Sequence, residues 1–400
     1  MSFVAERFLP FGQSIFAEYT ALANKHQAVN LSQGFPDFDG PELAKKAAIA
    51  AIQAGHAQYA PMAGVPPLRQ AIAQAWQRQG NFAIDPDAEV TVTCGCSEAI
   101  MCCFTGLLNP GDEVIFFEPF FDFYAAGAAF AGATPRYVTL YAPRTADGSF
   151  SFDPAELAKA FTPRTKAILL NSPHNPTGKV YTRSELQLIA DLCIKHNVTC
   201  ISDEVYEHLT FEPALPHISI ASLPGMRERT ITLSSLGKSF SLTGWKVGWS
   251  IAPPPLTAAV RASHQFNTFS GATPLQHGAA AMLLDPGTYI LTLRQLFTRN
   301  RDTLSNALRA AGLTVFRSDS TYFVMADHSA VSKRLGLLRD GRPDDRAFCE
   351  HLVREVGVAS IPPSVFYHNK QHGHPLVRFA FCKKAETMDE AARRLASLSK

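Results

Sequence analysis

Two lysines, Lys238 and Lys246, stand in the segment SSLGKSFSLTGWKVGW at residues 234–249, among Ser234, Ser235, Ser239, Ser241 and Thr243, with no acid to pair either. Cations surrounded by hydroxyls suit a phosphate. Gly237-Lys238-Ser239 has the ending of a nucleotide-binding P-loop, but that loop also needs a glycine five residues before its last one, so that backbone amides can wrap the phosphates. Position 232 is Thr, and the other Gly-Lys pair, Gly178-Lys179, has Pro173 at that place and is followed by Val180. The P-loop is dropped, and the phosphate stays as a question.

Other groups with chemical potential lie at regular stations along the chain. Asp203 closes ISDEVY, Tyr206 follows three residues later, Asn175 sits in NSPHNPTG, and CGCSEA offers Gly95, Cys96 and Ser97 at the start of a helix. Short β-rich runs precede them: EVTVT (89–93), DEVIFFE (112–118), TKAILLN (165–171), VTCISD (198–203) and RTITLSS (229–235). Such runs, bounded by turn residues, predict buried strands. Between them EAIMCCFTGLL, PAELAKAF and SELQLIADLCIKH carry helical spacing. Strand, helix, strand repetition predicts an α/β fold with a mostly parallel sheet flanked by helices. In such sheets the ligand lies beyond the carboxyl ends of the strands. The sequence obeys this rule, because CGCSE, PFFDFY, NSPHNPTG, DEVY and SLGKSF each follow one of the five runs.

A ligand that uses all these groups has a phosphate, a carbonyl for an amine, a ring nitrogen for a carboxylate and a phenolic oxygen for hydrogen-bond donors. Pyridoxal 5'-phosphate has this set, and its ring serves as an electron sink. One lysine then reacts with the carbonyl while the other remains a cation facing the phosphate with Ser235. The helix start at Gly95, Cys96 and Ser97 supplies amides to the phosphate. Each residue also has an ordinary reading. Asp203 could cap a helix, Tyr206 could be a core aromatic with a wet tip, and Arg378 could pair with a surface carboxylate. Only the convergence of five strand ends argues against these readings.

Taken together, NSPHNPTG, SDEVYEHL, SSLGKSFSLTGWKVGW and PLVRFAF resemble the class I pyridoxal-phosphate aminotransferases of fold type I. NLSQGFPDFDGP, QYAPMAGVPPLRQAIA and EPFFDFY are similar to the methionine and kynurenine aminotransferase (glutamine transaminase K) branch. The resemblance implies that Lys238 binds the cofactor covalently and moves a proton between substrate and cofactor. It implies that Asp203 pairs with the ring nitrogen, that Tyr206 and Asn175 hold the phenolic oxygen, and that Phe121 stacks on the ring. Gly95, Cys96, Ser97, Ser235 and Lys246 would hold the phosphate, joined by Tyr59 from a second subunit of a homodimer. Arg378 would clamp the substrate carboxylate, assisted by Gly34 and Asn175. Phe16, Tyr59, Phe121 and Phe269, with Phe11, Phe266 and Tyr322, are candidates for the side-chain pocket. Three residues depart from the pattern: His174 stands where many relatives have Asn, Cys96 where Ala is common, and Lys246 where many have Arg.

The expected reaction is transfer of the amino group of methionine, kynurenine, phenylalanine, tyrosine or glutamine to a 2-oxo acid by a ping-pong mechanism. A cysteine-conjugate β-lyase and a non-catalytic pyridoxal-phosphate-binding regulator are the alternatives. The expected organisation is an N-terminal segment (1–45) packing with the small domain and the site, a large cofactor-binding domain (46–284) and a smaller α+β domain (285–400). Composition agrees with a globular enzyme: 46% of residues are hydrophobic, 18% are charged and the net charge is +2. No basic face suggests nucleic acid, and the longest apolar run, AAGAAFAGA at 125–133, is well short of the ~18 residues of a membrane span. The N-terminus lacks a signal pattern, so the protein is expected in the cytoplasm. Its eight cysteines follow no disulfide or metal-binding spacing, and no metal is expected.

Overall fold

The computed structural model describes residues 3–12, 14–213 and 215–399. Seven strands form the central sheet: β1 (Val90–Thr93), β2 (Glu113–Glu118), β3 (Thr134–Thr139), β4 (Thr165–Asn171), β5 (Thr199–Asp203), β6 (Thr230–Ser235) and β7 (Gly248–Ile251). Their order across the sheet is β1-β7-β6-β5-β4-β2-β3. β7 runs antiparallel to both its neighbours, and every other pair is parallel. Every residue of β2 and β6 is buried, as expected where helices cover both faces.

Five of these strands follow the sequence expectation within a residue. The other two escaped it for physical reasons. β3, TPRYVT, is an edge strand whose outer half alternates exposed and half-buried residues, and its Pro and Arg belong to an edge. β7, GWSI, has only four residues and a single β-branched one, whereas the equally short β1, VTVT, is β-branched throughout and so carries a strand signal.

Helices Gly95–Leu107, Phe123–Ala131 and Arg183–His196 follow β1, β2 and β4. The last is delimited by a capping box between Thr182 and Glu185 and by Asn197 in the left-handed conformation; removal of the Thr182 hydroxyl would cost about 1 kcal/mol. Glu185 also takes Lys179 Nζ at 2.8 Å, so the second Gly-Lys of the sequence serves a half-buried ion pair.

A second body forms around the long helix Tyr289–Ala310. Its buried stripe of Leu293, Phe297, Leu304 and Leu308 belongs to the same core as the antiparallel sheet of Thr314–Val315, Phe323–Asp327 and Leu376–Ala380. The N-terminal helix Ile15–Lys25 adds Ile15, Tyr19 and Ala23 to that core. Just beyond it, Val29 and Asn30 pair in parallel with Val358 and Ala359. The early residues thus pack on the late ones. Among the described residues all eight cysteines are free thiols, six of them buried and Cys94 and Cys96 half-buried, and no helix is long and apolar enough to cross a membrane.

Candidate active site

The strand ends open into a cavity of about 140 Å³. Gly95, Cys96, Ser97, Phe121, Asn175, Asp203, Tyr206, Ser235, Lys238 and Lys246 all line it, so the stations singled out along the sequence meet in space.

Asp203 is the last residue of β5 and is buried. Its Oδ2 accepts the Tyr124 hydroxyl at 2.7 Å, and its Oδ1 accepts the Val205 N–H at 3.4 Å and lies 3.6 Å from Cys96 Sγ. Burial raises its pKa, while Tyr124, the Val205 amide, Cys96 and Lys238 pull it back. A cation placed against this carboxylate would remove the remaining cost of its charge. Asn171, at the end of β4, donates Nδ2 to the Asp203 carbonyl at 2.9 Å and accepts the Asn175 N–H on Oδ1 at 2.7 Å. This side chain stitches the NSPHNPTG loop to β5 and so delivers Asn175 to the cavity.

Lys238 sits in the one-turn helix Leu236–Ser239 that follows β6. Among the described residues its ammonium makes no hydrogen bond or ion pair; the ring centres of Tyr322 and Tyr206 lie 5.8 and 6.0 Å from Nζ. Burial lowers its pKa against the opposing pull of Cys382, Asp203 and Cys96. A buried amine pushed toward neutrality is suited to attack a carbonyl.

At the far end of the cavity Gly95 opens its helix at φ +76°, and a Cβ there would meet Lys246 Nζ at 3.2 Å. Gly248 at the start of β7 allows the same approach from behind, because its Cβ would lie 2.6 Å from the Cys96 nitrogen. Lys246 Nζ reaches Ser97 Oγ at 3.5 Å. Free amides of a helix start, two hydroxyls and a lysine make a donor set that fits a phosphate.

A second cavity of about 210 Å³ adjoins the first at Phe121, Asn175, Tyr206, Lys238 and Thr243 and is walled by Phe16, Gln33, Gly34, Phe35, Phe323 and Arg378. Arg378 is buried on the strand Leu376–Ala380. Its Nη2 donates to the Ser32 carbonyl at 2.8 Å and its Nη1 to Asn175 Oδ1 at 3.5 Å, while Nε has no hydrogen-bond partner among the described residues. Phe323, Phe16 and Phe366 surround the guanidinium at 4.3 to 5.3 Å. Burial draws its pKa down to about 10, which leaves it cationic at neutral pH. Among the described residues no carboxylate pairs with it, so an anion from outside would meet an unfilled demand.

The remaining expectations divide. Tyr322 is buried and donates its hydroxyl to the Gly34 carbonyl at 2.6 Å, which positions Gly34 at the cavity wall. Tyr59 and Phe269, edge to face at 5.7 Å, and the exposed Phe266 line neither cavity of their own chain; Tyr59 is 86% exposed. Nor does Phe11. His174 is buried against Thr177 at 2.8 Å and is kept neutral by burial, its pKa drawn down to about 3; it does not line either cavity. Sequence reasoning missed Tyr124, Asn171, Gln33, Phe35 and Phe323. Tyr124 falls three residues after Phe121 and Asn171 four before Asn175, spacings that could have drawn them in. Phe323 carries no signal beyond that of an apolar strand.

The family of aminotransferases of class I and II matches residues 26–395. A probable N-succinyldiaminopimelate aminotransferase of Mycobacterium tuberculosis is 43% identical over 98% of both chains. The kynurenine–oxoglutarate transaminase of Dictyostelium discoideum is 40% identical over 98% of this chain and 95% of its own. The crystal structure of a methionine aminotransferase from Escherichia coli superimposes with a TM-score of 0.92 and 40% identity, covering 99% of this chain and all of the other. The cavity at the strand ends is therefore set in a fold type I scaffold, and the chain belongs to the aminotransferases of class I and II.

Proposed function

We propose that the protein transfers the amino group of an L-amino acid with an apolar or aromatic side chain to a 2-oxo acid, with pyridoxal 5'-phosphate held in the first cavity and the substrate in the second. Class I aminotransferases in general depend on this cofactor. When bound, it supplies the carbonyl that takes up the amino group and the ring that accommodates charge at the substrate α-carbon.

The protein's own groups have separable tasks in this reading. Asp203, ionised and oriented by Tyr124, holds the ring nitrogen; Tyr206 and Asn175 hold the phenolic oxygen, and Phe121 covers the ring. Gly95, Cys96, Ser97, Ser235 and Lys246 hold the phosphate, with Tyr59 reaching in from the second subunit of a homodimer. Lys238 binds the cofactor and then carries a proton to and from the substrate α-carbon. Arg378 takes the substrate carboxylate with its fork, and Gly34 and Asn175 complete that contact. Residues 46–284 serve as the cofactor domain, 285–400 as the smaller domain, and 1–45 pack against the site.

The observation that carries the substrate choice is the makeup of the second cavity. Four phenylalanines, Phe16, Phe35, Phe121 and Phe323, face a single guanidinium, so one carboxylate and an apolar side chain are matched while a second carboxylate is not. Methionine, phenylalanine, tyrosine and kynurenine fit this description, and glutamine fits it in having one carboxylate and an uncharged side chain. The test is an absorption spectrum of protein loaded with pyridoxal phosphate, recorded before and after a panel of donors that includes aspartate and N-succinyldiaminopimelate. Conversion to the pyridoxamine form by the apolar donors is the expected result. A higher kcat/KM for aspartate or for N-succinyldiaminopimelate, each with more than one carboxylate, would overturn the substrate reading, and no conversion by any donor would overturn the reaction.

A further inference from the structure

Three parts of the molecule meet at one imidazole that the mechanism above does not use. His264, in the last turn of the helix Pro254–Asn267, is fully buried. Its Nδ1 lies 2.7 Å from Glu98 Oε1 and its Nε2 2.9 Å from the Met62 carbonyl oxygen. A carbonyl cannot donate, so Nε2 carries a proton. Glu98 Oε1 already accepts the Thr268 hydroxyl and Oε2 the Cys94 N–H, an environment built for a carboxylate anion, so Nδ1 carries a proton as well. The ring is thus an imidazolium. Burial pulls the pKa of His264 down, but Cys102, the Glu98 carboxylate and the Met62 carbonyl together push it up to about 9. Cys102, Glu98 and His264 come within 4.8 Å of one another, but a metal ion among them would have to part the 2.7 Å contact and displace a ring proton.

The partners of this cation have one thing in common. Glu98 belongs to the first turn of the helix Gly95–Leu107, the turn whose amides face the first cavity. Met62 lies three residues from Tyr59. On the third side the Thr268 hydroxyl lies 3.4 Å from His264 Nδ1 and donates to Glu98, and the next residue, Phe269, is held at φ +69° with its N–H on the main-chain carbonyl of His264 at 3.0 Å. Tyr59 and Phe269 then meet edge to face.

We propose that His264, as an imidazolium paired with Glu98, is a positioning residue that locks the phosphate-binding turn at Gly95–Ser97 and the Tyr59–Phe269 pair into one unit. The inference rests on the reading that pyridoxal phosphate binds at this turn and that Tyr59 completes the site of a second subunit. One imidazolium then sets the shape of two phosphate sites, its own through Glu98 and its partner's through Met62 and Tyr59.

The test is a double-mutant cycle on the dissociation constant of pyridoxal phosphate, measured by absorbance titration of the full-length apo-protein as wild type, His264→Asn, Tyr59→Phe and the double variant. Each single substitution is expected to weaken binding roughly 10-fold, the loss of one charge-assisted hydrogen bond. The double variant should lose clearly less than the product of the two, because both act through one segment. A His264→Asn protein that binds as tightly as wild type, or losses that simply multiply to about 100-fold, would overturn the proposal; a merely structural histidine gives the multiplying pattern. Where His264→Asn does not fold, Glu98→Gln, which keeps the shape and removes the charge, is read in the same cycle with the same expectations. A wild-type protein that binds no pyridoxal phosphate would overturn the proposed function and this inference with it, a result distinct from either failure of the cycle.

Discussion

The two cavities share Phe121, Asn175, Tyr206, Lys238 and Thr243, yet they are made in different ways. The first is built from the ends of the sheet's strands, and its side chains are fixed by polar bonds between one strand end and another: Tyr124 to Asp203, Asn171 to both Asp203 and Asn175, Lys246 to Ser97. The second is assembled from segments hundreds of residues apart, chiefly through aromatic contacts around one cation. The difference separates chemistry from selection. A register of strands places reacting groups to within tenths of an ångström, whereas a wall of phenylalanines can change shape without disturbing them.

Substitutions should expose this asymmetry in graded steps. Lys238→Ala removes both the nucleophile and the proton carrier, and turnover should fall by roughly 10⁴-fold or more, together with loss of the covalent cofactor band in the absorption spectrum. Arg378→Lys keeps the charge in the second cavity but gives up the fork. The expected loss is about 100-fold in kcat/KM, near 3 kcal/mol, seen mainly in KM, with cofactor affinity unchanged; equal loss of cofactor would mean that the two cavities are not separable.

Tyr124→Phe removes one of the donors that hold Asp203 ionised, about 1 kcal/mol or a several-fold loss of cofactor affinity. Because Tyr124 lowers the Asp203 pKa against the burial that raises it, the acid limb of the pH–rate profile should move to higher pH in this variant. An unmoved limb would assign it to another group. Phe16→Leu should do least, shifting preference among apolar donors by a few-fold, as a small change of packed volume does.

A pH test addresses the joint behind the first cavity. The folded pKa of His264, about 9, lies above its ordinary 6.5. The stability drawn from its charged form is therefore complete below about pH 6.5 and is lost as pH rises through 9. Thermal melts of the wild type should show a decline over that window, and Glu98→Gln should flatten it.

The same asymmetry explains how much was legible in the sequence. Strand ends can be read because a β-rich run announces itself and the residue that follows has a fixed place, so Asp203, Asn175 and Lys238 could be assembled on paper. Tyr124 was passed over because the helix Phe123–Ala131 looks like an undifferentiated apolar run. Phe35 and Phe323 were passed over because long-range packing leaves no period in the chain. Tyr59 and Phe269 entered only through resemblance, and within a single chain they stand outside both cavities. His264 carries no signal of its own in the sequence, since the acid that gives it meaning lies 166 residues away in the chain.

Another consequence follows from the way Ser32, Phe35 and Leu31 are held. Their carbonyls accept from Arg378, Lys383 and Ala380, bonds that join the first tenth of the polypeptide to the last. During synthesis the segment around Gln33 leaves the ribosome long before its partners exist. The strand register of the central sheet can form while translation continues, but the substrate chamber closes only after the strand Leu376–Ala380 and Lys383 have emerged. A truncated or stalled product would thus be able to complete much of its cofactor platform and still have no place to receive an amino acid.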